Sequence, residues 1–201
     1  MTSFFITGTD TNIGKTVIAA ALVYKFNATY WKPLQTGAIE GTDTDFVRDI
    51  LSLPENRIAS PAYTYNPPLS PHLAAALEQE EIALERLVLP ELQPIIVEGA
   101  GGIFVPLNNS QQIIDLIEKF KIPVIVVAGT QLGTINHTLL TLYALQNKGL
   151  AVRGVVLNGT KQLGIRATIE HFSGIRVLGE IPRYASLETR TIQAIASDID
   201  A

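Results

Sequence analysis

Gly8-Thr9-Asp10-Thr11-Asn12-Ile13-Gly14-Lys15-Thr16 decides how this chain is read. Ahead of it, Ser3-Phe4-Phe5-Ile6-Thr7 is a short apolar run of the kind that forms a buried strand. Behind it, Val17-Ile18-Ala19-Ala20-Ala21-Leu22-Val23 opens an apolar helix. A strand, a glycine-bearing loop ending in Gly-Lys-Thr, and a helix make the layout of a phosphate-binding P-loop. Such a loop closes on a helix N-terminus, where several N–H groups and the positive end of the helix dipole meet. Gly14 lets backbone approach a phosphate with no Cβ in the way. Lys15 supplies a full charge for the β- and γ-phosphates, and the Thr16 hydroxyl suits Mg²⁺. The usual pattern has a glycine five residues before Gly14. Here that place is Thr9, and the glycine stands one residue earlier, at Gly8.

The 201 residues are one domain's worth, so a single domain over 1–201 is expected, and 47% hydrophobic residues provide for a large core. A net charge of −4 argues against a nucleic-acid partner, which would want a basic face. The absence of cysteine excludes disulfides, thiolate catalysis and cysteine-ligated metals. There is no basic leader before the first strand, and no apolar run approaches the length of a membrane span. A soluble cytoplasmic protein with no membrane partner is the expectation.

Further along, residues 29–34 are expected to form a second strand, with Pro33 near its end. An acidic loop follows, carrying Glu40, Asp43 and Asp45, and a short helix over 46–53 stops at Pro54. Residues 54–71 are a proline-rich connection. Ser70-Pro71 resembles a helix cap, with helix over 72–79 and a second stretch over 82–89. Strands are expected at 94–98, 123–128, 152–157 and 177–181. Helices are expected at 113–120, 134–147, 164–172 and 187–196, with Lys148-Gly149 closing the one before it. Strand and helix thus alternate about six times, and the strands are continuous apolar runs. That predicts an α/β fold, a P-loop NTPase-like three-layer α/β/α sandwich on a mostly parallel central sheet.

Ligands of such sheets bind at the carboxyl ends of the strands. The residues just past those ends are the P-loop, Lys32 with Thr36, Glu98 with Gly99, Ala100 and Gly101, Asn158 with Gly159, and Pro182. Lys32 on an apolar strand reads as a second clamp for phosphate or carboxylate. Glu98 ends the most apolar strand, where a carboxylate needs a partner, and Mg²⁺ is one. Asp43 and Asp45 read equally as a solvated loop or as metal contacts. His72, His137 and His171 are isolated and read as packing or surface.

Six blocks together resemble the dethiobiotin synthetase family, in order and approximate spacing. They are the P-loop, Lys32-Pro33-Leu34-Gln35-Thr36-Gly37, Ser70-Pro71-His72, Val97-Glu98-Gly99-Ala100-Gly101-Gly102, Leu132-Gly133-Thr134-Ile135-Asn136-His137 and Gly179-Glu180-Ile181-Pro182. The resemblance implies an ATP- and Mg²⁺-dependent ligase of biotin synthesis that closes the ureido ring of dethiobiotin from 7,8-diaminononanoate and CO₂. Its route runs through a carbamate and a carbamic-phosphoric mixed anhydride, and releases ADP and phosphate. By the same resemblance, Lys32 and Lys15 are the catalytic lysines. Asn12, Ile13, Gly14, Lys15, Thr16 and Val17 hold nucleotide phosphates, and Glu98, Gly99, Ala100 and Gly101 lie against the nucleotide. Thr16, Asp45 and Glu98 hold the metal, with Asp43 the alternative to Asp45. Asn158, Gly159, Pro182, Arg183 and Tyr184 line the adenine. Thr36 and Asn136 contact the diamine, Asn136 from the partner subunit of a homodimer with substrate at the interface. The carboxylate often found at position 12 in the family is replaced here by Asn12.

Two other classes share the fold. Cobalamin-type amidotransferase synthetases need a glutaminase domain with a cysteine nucleophile, which this chain lacks. Switch ATPases of the partition and cell-division type carry a lysine early in the loop, where this chain has Asp10.

Overall fold

Phe4–Gly8 forms β1, and its residues are buried throughout. The structure, a computed structural model, describes residues 3–201. After β1 come α1 (Lys15–Lys25), β2 (Thr29–Trp31), β3 (Leu34–Gln35), α2 (Asp43–Leu51), β4 (Ile58–Ala59), β5 (Tyr63–Thr64) and α3 (Pro71–Leu77). The second half alternates regularly: β6 (Ile95–Glu98), α4 (Ile113–Phe120), β7 (Val124–Ala128), α5 (Thr134–Asn147), β8 (Val152–Asn158), α6 (Ile165–Ser173), β9 (Val177–Ile181) and α7 (Thr189–Asp198).

Seven strands make one sheet in the order β4-β2-β6-β1-β7-β8-β9. Every pairing in it is parallel. Successive side chains of a strand point to opposite faces. Phe4 and Ile6 therefore pack with α1, α2 and α7 on one side, while Phe5 packs with α3, α4, α5 and α6 on the other. This is the expected three-layer α/β/α sandwich. Because both faces are covered, the central strands are apolar at nearly every residue. Among the described residues, no helix is long and apolar enough to cross a membrane.

The second strand is shorter than expected. It leaves the sheet after Trp31, and Leu34–Gln35 pairs instead with Tyr63–Thr64 in a separate two-stranded sheet. Pro33 has no N–H to give to a ladder, and its carbonyl accepts from Ala62 N at 2.9 Å. The stretch 82–89 holds only a 3₁₀ turn at Leu84–Arg86. Ile82 and Leu87 are buried anchors of an otherwise irregular chain. The acidic segment is no loop from Asp43 on: α2 starts there, three residues earlier than expected.

Candidate active site

The carboxyl ends of β1, β2 and β6 meet at a cleft of about 760 Å³. β1 runs into the P-loop, and α1 begins at Lys15 directly after Gly14. Gly14 has φ 87°, and a Cβ there would lie 2.2 Å from the Asn158 side-chain nitrogen. Both facts require glycine. Asn158, at the end of β8, donates from Nδ2 to the Ile13 carbonyl at 2.7 Å, so a neighbouring strand ties the loop down. The Ile13 side chain is turned into the core and leaves only its backbone for a ligand. Asn12 holds a left-handed φ of 53°, which asparagine tolerates better than most residues. Asn12, Gly14, Lys15, Thr16 and Val17 line the cleft.

At the floor of the cleft, charged groups and two hydroxyls form one network. The Lys32 Nζ lies 2.5 Å from Asp43 Oδ2 and 3.2 Å from Glu98 Oε1. Thr16 Oγ1 lies 2.8 Å from Asp43 Oδ1 and 2.9 Å from Glu98 Oε1. Tyr30 Oη donates to Glu98 Oε2 at 2.8 Å. Lys15 sits beside this group, its Nζ donating to the Asp10 carbonyl at 2.8 Å. Burial works against the charge on both lysines, with opposite outcomes. For Lys15 it prevails over Glu98 and lowers the pKa below that of an ordinary lysine. For Lys32 the paired Glu98 and Asp43 outweigh it and raise the pKa. Burial also opposes the charge on Asp43, but the Lys32 ammonium overcomes it and holds that carboxyl below the usual range.

Asp43 reaches the network because of how α2 starts. Thr42 is the N-cap, its Oγ1 accepting from Asp45 N at 3.0 Å. The buried Gln35 side chain accepts from Asp43 N at 3.2 Å. Asp43 is thereby the first residue of the helix and faces the cleft floor. Asp45, two residues on, is turned elsewhere. Its carboxylate takes Thr42 Oγ1 at 2.6 Å and Arg48 Nη2 at 2.6 Å, and is nearly half exposed. It borders the cleft, yet its oxygens are engaged by the helix cap. Spacing alone does not separate the two; the register of the Thr42 cap does.

Among the described residues, no group of three or more His, Cys, Asp or Glu side chains could hold a metal ion unaided. The donors at the cleft floor are one hydroxyl and two carboxylates, Thr16, Asp43 and Glu98. That hard-oxygen set fits Mg²⁺, which keeps waters and substrate phosphates as its remaining ligands. The Lys32 ammonium, lying between the two carboxylates, indicates that the place favours a cation.

A family profile described as an AAA domain matches residues 2–191. The ATP-dependent dethiobiotin synthetase BioD of Paramagnetospirillum magneticum is 46% identical, over 97% of this chain and 95% of that protein. The protein of the same name from Lawsonia intracellularis is 42% identical, over 96% and 93%. The chain belongs to the dethiobiotin synthetase family. A MinD cell-division ATPase from Pyrococcus furiosus superposes with a TM-score of 0.55 over 98% of both chains at 11% identity. A ParA family ATPase from Chlorobium tepidum gives 0.52 over 97% of both at 14%. At such identities these two share the P-loop fold and nothing finer.

The family's remaining expected positions fall into three places. Thr36, Ala100 and Gly101 line the same cleft as the P-loop, and Gly99 stands between Glu98 and them. Asn158 pairs with Ile181 across β8 and β9, and Gly159 N donates to the Ile181 carbonyl at 2.8 Å. Asn158, Gly159 and Pro182 are therefore neighbours, with Arg183 and Tyr184 on the exposed segment that follows. Asn136 lies apart from the cleft, exposed in the first turn of α5. Asp43, the alternative to Asp45, is the one of the pair at the cleft floor; sequence reasoning missed Tyr30, whose hydroxyl holds Glu98, and Leu187, which closes one side of the cleft. Tyr30 gave no signal because a tyrosine in an apolar strand reads as core.

Proposed function

We propose that this member of the family is an ATP-dependent ligase of biotin biosynthesis. It closes the ureido ring of dethiobiotin from 7,8-diaminononanoate and CO₂. The observation that carries the reading is the pairing of two buried lysines with an oxygen-donor set at the mouth of a P-loop. One substrate amine adds to CO₂, loses a proton and becomes a carbamate. A carbamate oxygen attacks the γ-phosphorus of ATP, and the β–γ bridging oxygen leaves with ADP. The second amine attacks the activated carbamoyl carbon, phosphate departs, and that amine's proton is released. Carbamate and triphosphate are both anions, so their approach needs fixed cations. Lys15 holds the phosphates and Lys32 the oxygens that pass between carbamate and phosphate. Thr16, Asp43 and Glu98 would hold Mg²⁺, with Asp43 taking the place first expected of Asp45. Bound there, Mg²⁺ neutralises phosphate oxygens.

Asn158, Gly159 and the segment 182–184 offer polar backbone and an aromatic ring beside the P-loop, a setting that suits adenine. Thr36 faces the diamine. The chain acts as a homodimer through the outward face of α5, so that Asn136 and the start of α5 serve the partner's cleft. The positive end of a helix suits the substrate carboxylate.

Phosphate release from ATP with Mg²⁺ and bicarbonate, with and without 7,8-diaminononanoate, tests this. Release is expected only with the diamine. Lys32→Ala should reduce it by about 10²–10³ while nucleotide still binds. Release indifferent to the diamine would overturn the assignment.

A further inference from the structure

Tyr30 is completely buried on β2. It belongs to the same buried apolar cluster as Ile18, Leu22 and Ile96, where a phenylalanine would keep its ring. Tyr30 stands opposite Ile96 in the β2–β6 register, so its side chain shares a face with Ile96 and Glu98 and reaches one step along to the carboxylate. Among the described residues its hydroxyl has a single partner, Glu98 Oε2, at 2.8 Å. The other oxygen, Oε1, is the one that meets Thr16 and Lys32. The two oxygens of Glu98 are thus divided between a buried anchor and the cleft.

We infer that Tyr30 is a positioning residue for the reaction: it ties Glu98 Oε2 so that Oε1 is presented toward Mg²⁺ beside Thr16. This rests on the assignment of Thr16, Asp43 and Glu98 as the metal's donors. Tyr30 touches neither substrate nor metal and acts through Glu98. Removing the hydroxyl leaves Oε2 buried with no donor. The carboxylate is then free to turn both oxygens onto the Lys32 ammonium. Groups that orient a metal ligand in this way are commonly worth 10–100-fold in metal affinity or activity.

The test is Mn²⁺ binding to the enzyme with ADP, followed by the electron paramagnetic resonance of free Mn²⁺, for wild type, Tyr30→Phe and Glu98→Gln. Tyr30→Phe is expected to weaken Mn²⁺ binding about 10-fold or more, with metal-free ADP affinity unchanged. The Mg²⁺ concentration for half-maximal phosphate release should rise in step. Wild-type Mn²⁺ affinity in Tyr30→Phe alongside a weakened Glu98→Gln would overturn the inference. So would an equal loss of metal-free ADP affinity, which marks general distortion. Unchanged affinity in both variants would instead sink the metal assignment beneath it. Adding Tyr30→Phe to Glu98→Gln supplies a second measurement: Mn²⁺ binding should fall no further than in Glu98→Gln alone, and additive losses would show that Tyr30 acts by another route than Glu98 and overturn the inference.

Discussion

At the scale of single residues, two carboxylates two positions apart have different work. Asp43 joins Lys32 and Thr16 at the cleft floor, and Asp45 is spent on the cap and Arg48. Asp43→Asn is expected to cut diamine-dependent phosphate release by about 10²–10³, and Asp45→Asn to change it by less than about threefold. Equal losses would mean that Asp45 turns inward once nucleotide binds. The same pair sets a pH dependence whose sign can be worked out. The Asp43 carboxyl titrates lower in the folded chain than in the unfolded one, despite burial, because of Lys32. It therefore contributes stability above its unfolded pKa of about 3.9, and this is lost as pH falls through the lower folded value. Lys32 is the mirror case. Its pKa is raised, so its contribution is complete below about 10.4 and is lost only as pH rises beyond the folded value. In ligand-free protein, the melting-temperature gap between wild type and Asp43→Asn should be flat from about pH 5 to 9. It should narrow as pH falls below the ordinary carboxylate value of about 3.9 and close once pH has passed through the lower folded value. A gap that persists in acid would show that the pair is not what stabilises the floor.

At the scale of elements, what was legible was what had a long period or a clear stop. The bounds of α4, α5 and β9 follow from apolar spacing and, for α5, from the Lys148-Gly149 ending, where Gly149 takes φ 69°. The start of α2 was not legible, because Gly41-Thr42-Asp43-Thr44-Asp45 has the composition of a loop. Threonine and aspartate disfavour helix interiors but favour caps, and only the Thr42 contact decides between them. The strands β4 and β5 were missed because two residues carry no period. This makes Thr42 an element-level lever on the site. Thr42→Ala is expected to cost about 1 kcal/mol, a fall of roughly 2–4 °C in melting temperature for a chain of this size. Thr42→Ser should restore it. The Mg²⁺ requirement of the alanine variant should rise too, since the cap sets where Asp43 stands. A melting temperature equal to that of wild type would show that Gln35 alone fixes the start of α2.

At the scale of the whole molecule, the site is built where the strand order brings β2, β6 and β1 side by side. The sequence revealed which residues end those strands, but not that Tyr30, Lys32 and Glu98 share one face, which needs the β2–β6 register. The proposed dimer belongs to this scale as well. Asn136, Leu140 and Tyr143 are exposed on α5 at spacings of four and three residues, which puts them on one side of the helix. Leu140 is 59% exposed, Phe104, 56% exposed, lines a surface depression together with Thr141 of α5, and Leu132 projects fully just before the helix. An outward helix face that carries Leu140 and Tyr143 has the apolar and aromatic make-up of an interface. Leu140→Asp leaves the P-loop and the cleft floor untouched, so it separates assembly from nucleotide binding. Light scattering is expected to give twice the 21.8 kDa chain mass for wild type and a single chain for the variant. Nucleotide should bind both alike, while half-saturation by 7,8-diaminononanoate shifts upward in the variant, because Asn136 of each chain is then withdrawn from the other's cleft. A wild type that is monomeric at full activity would remove the partner from the mechanism and return the substrate carboxylate to a group within the same chain.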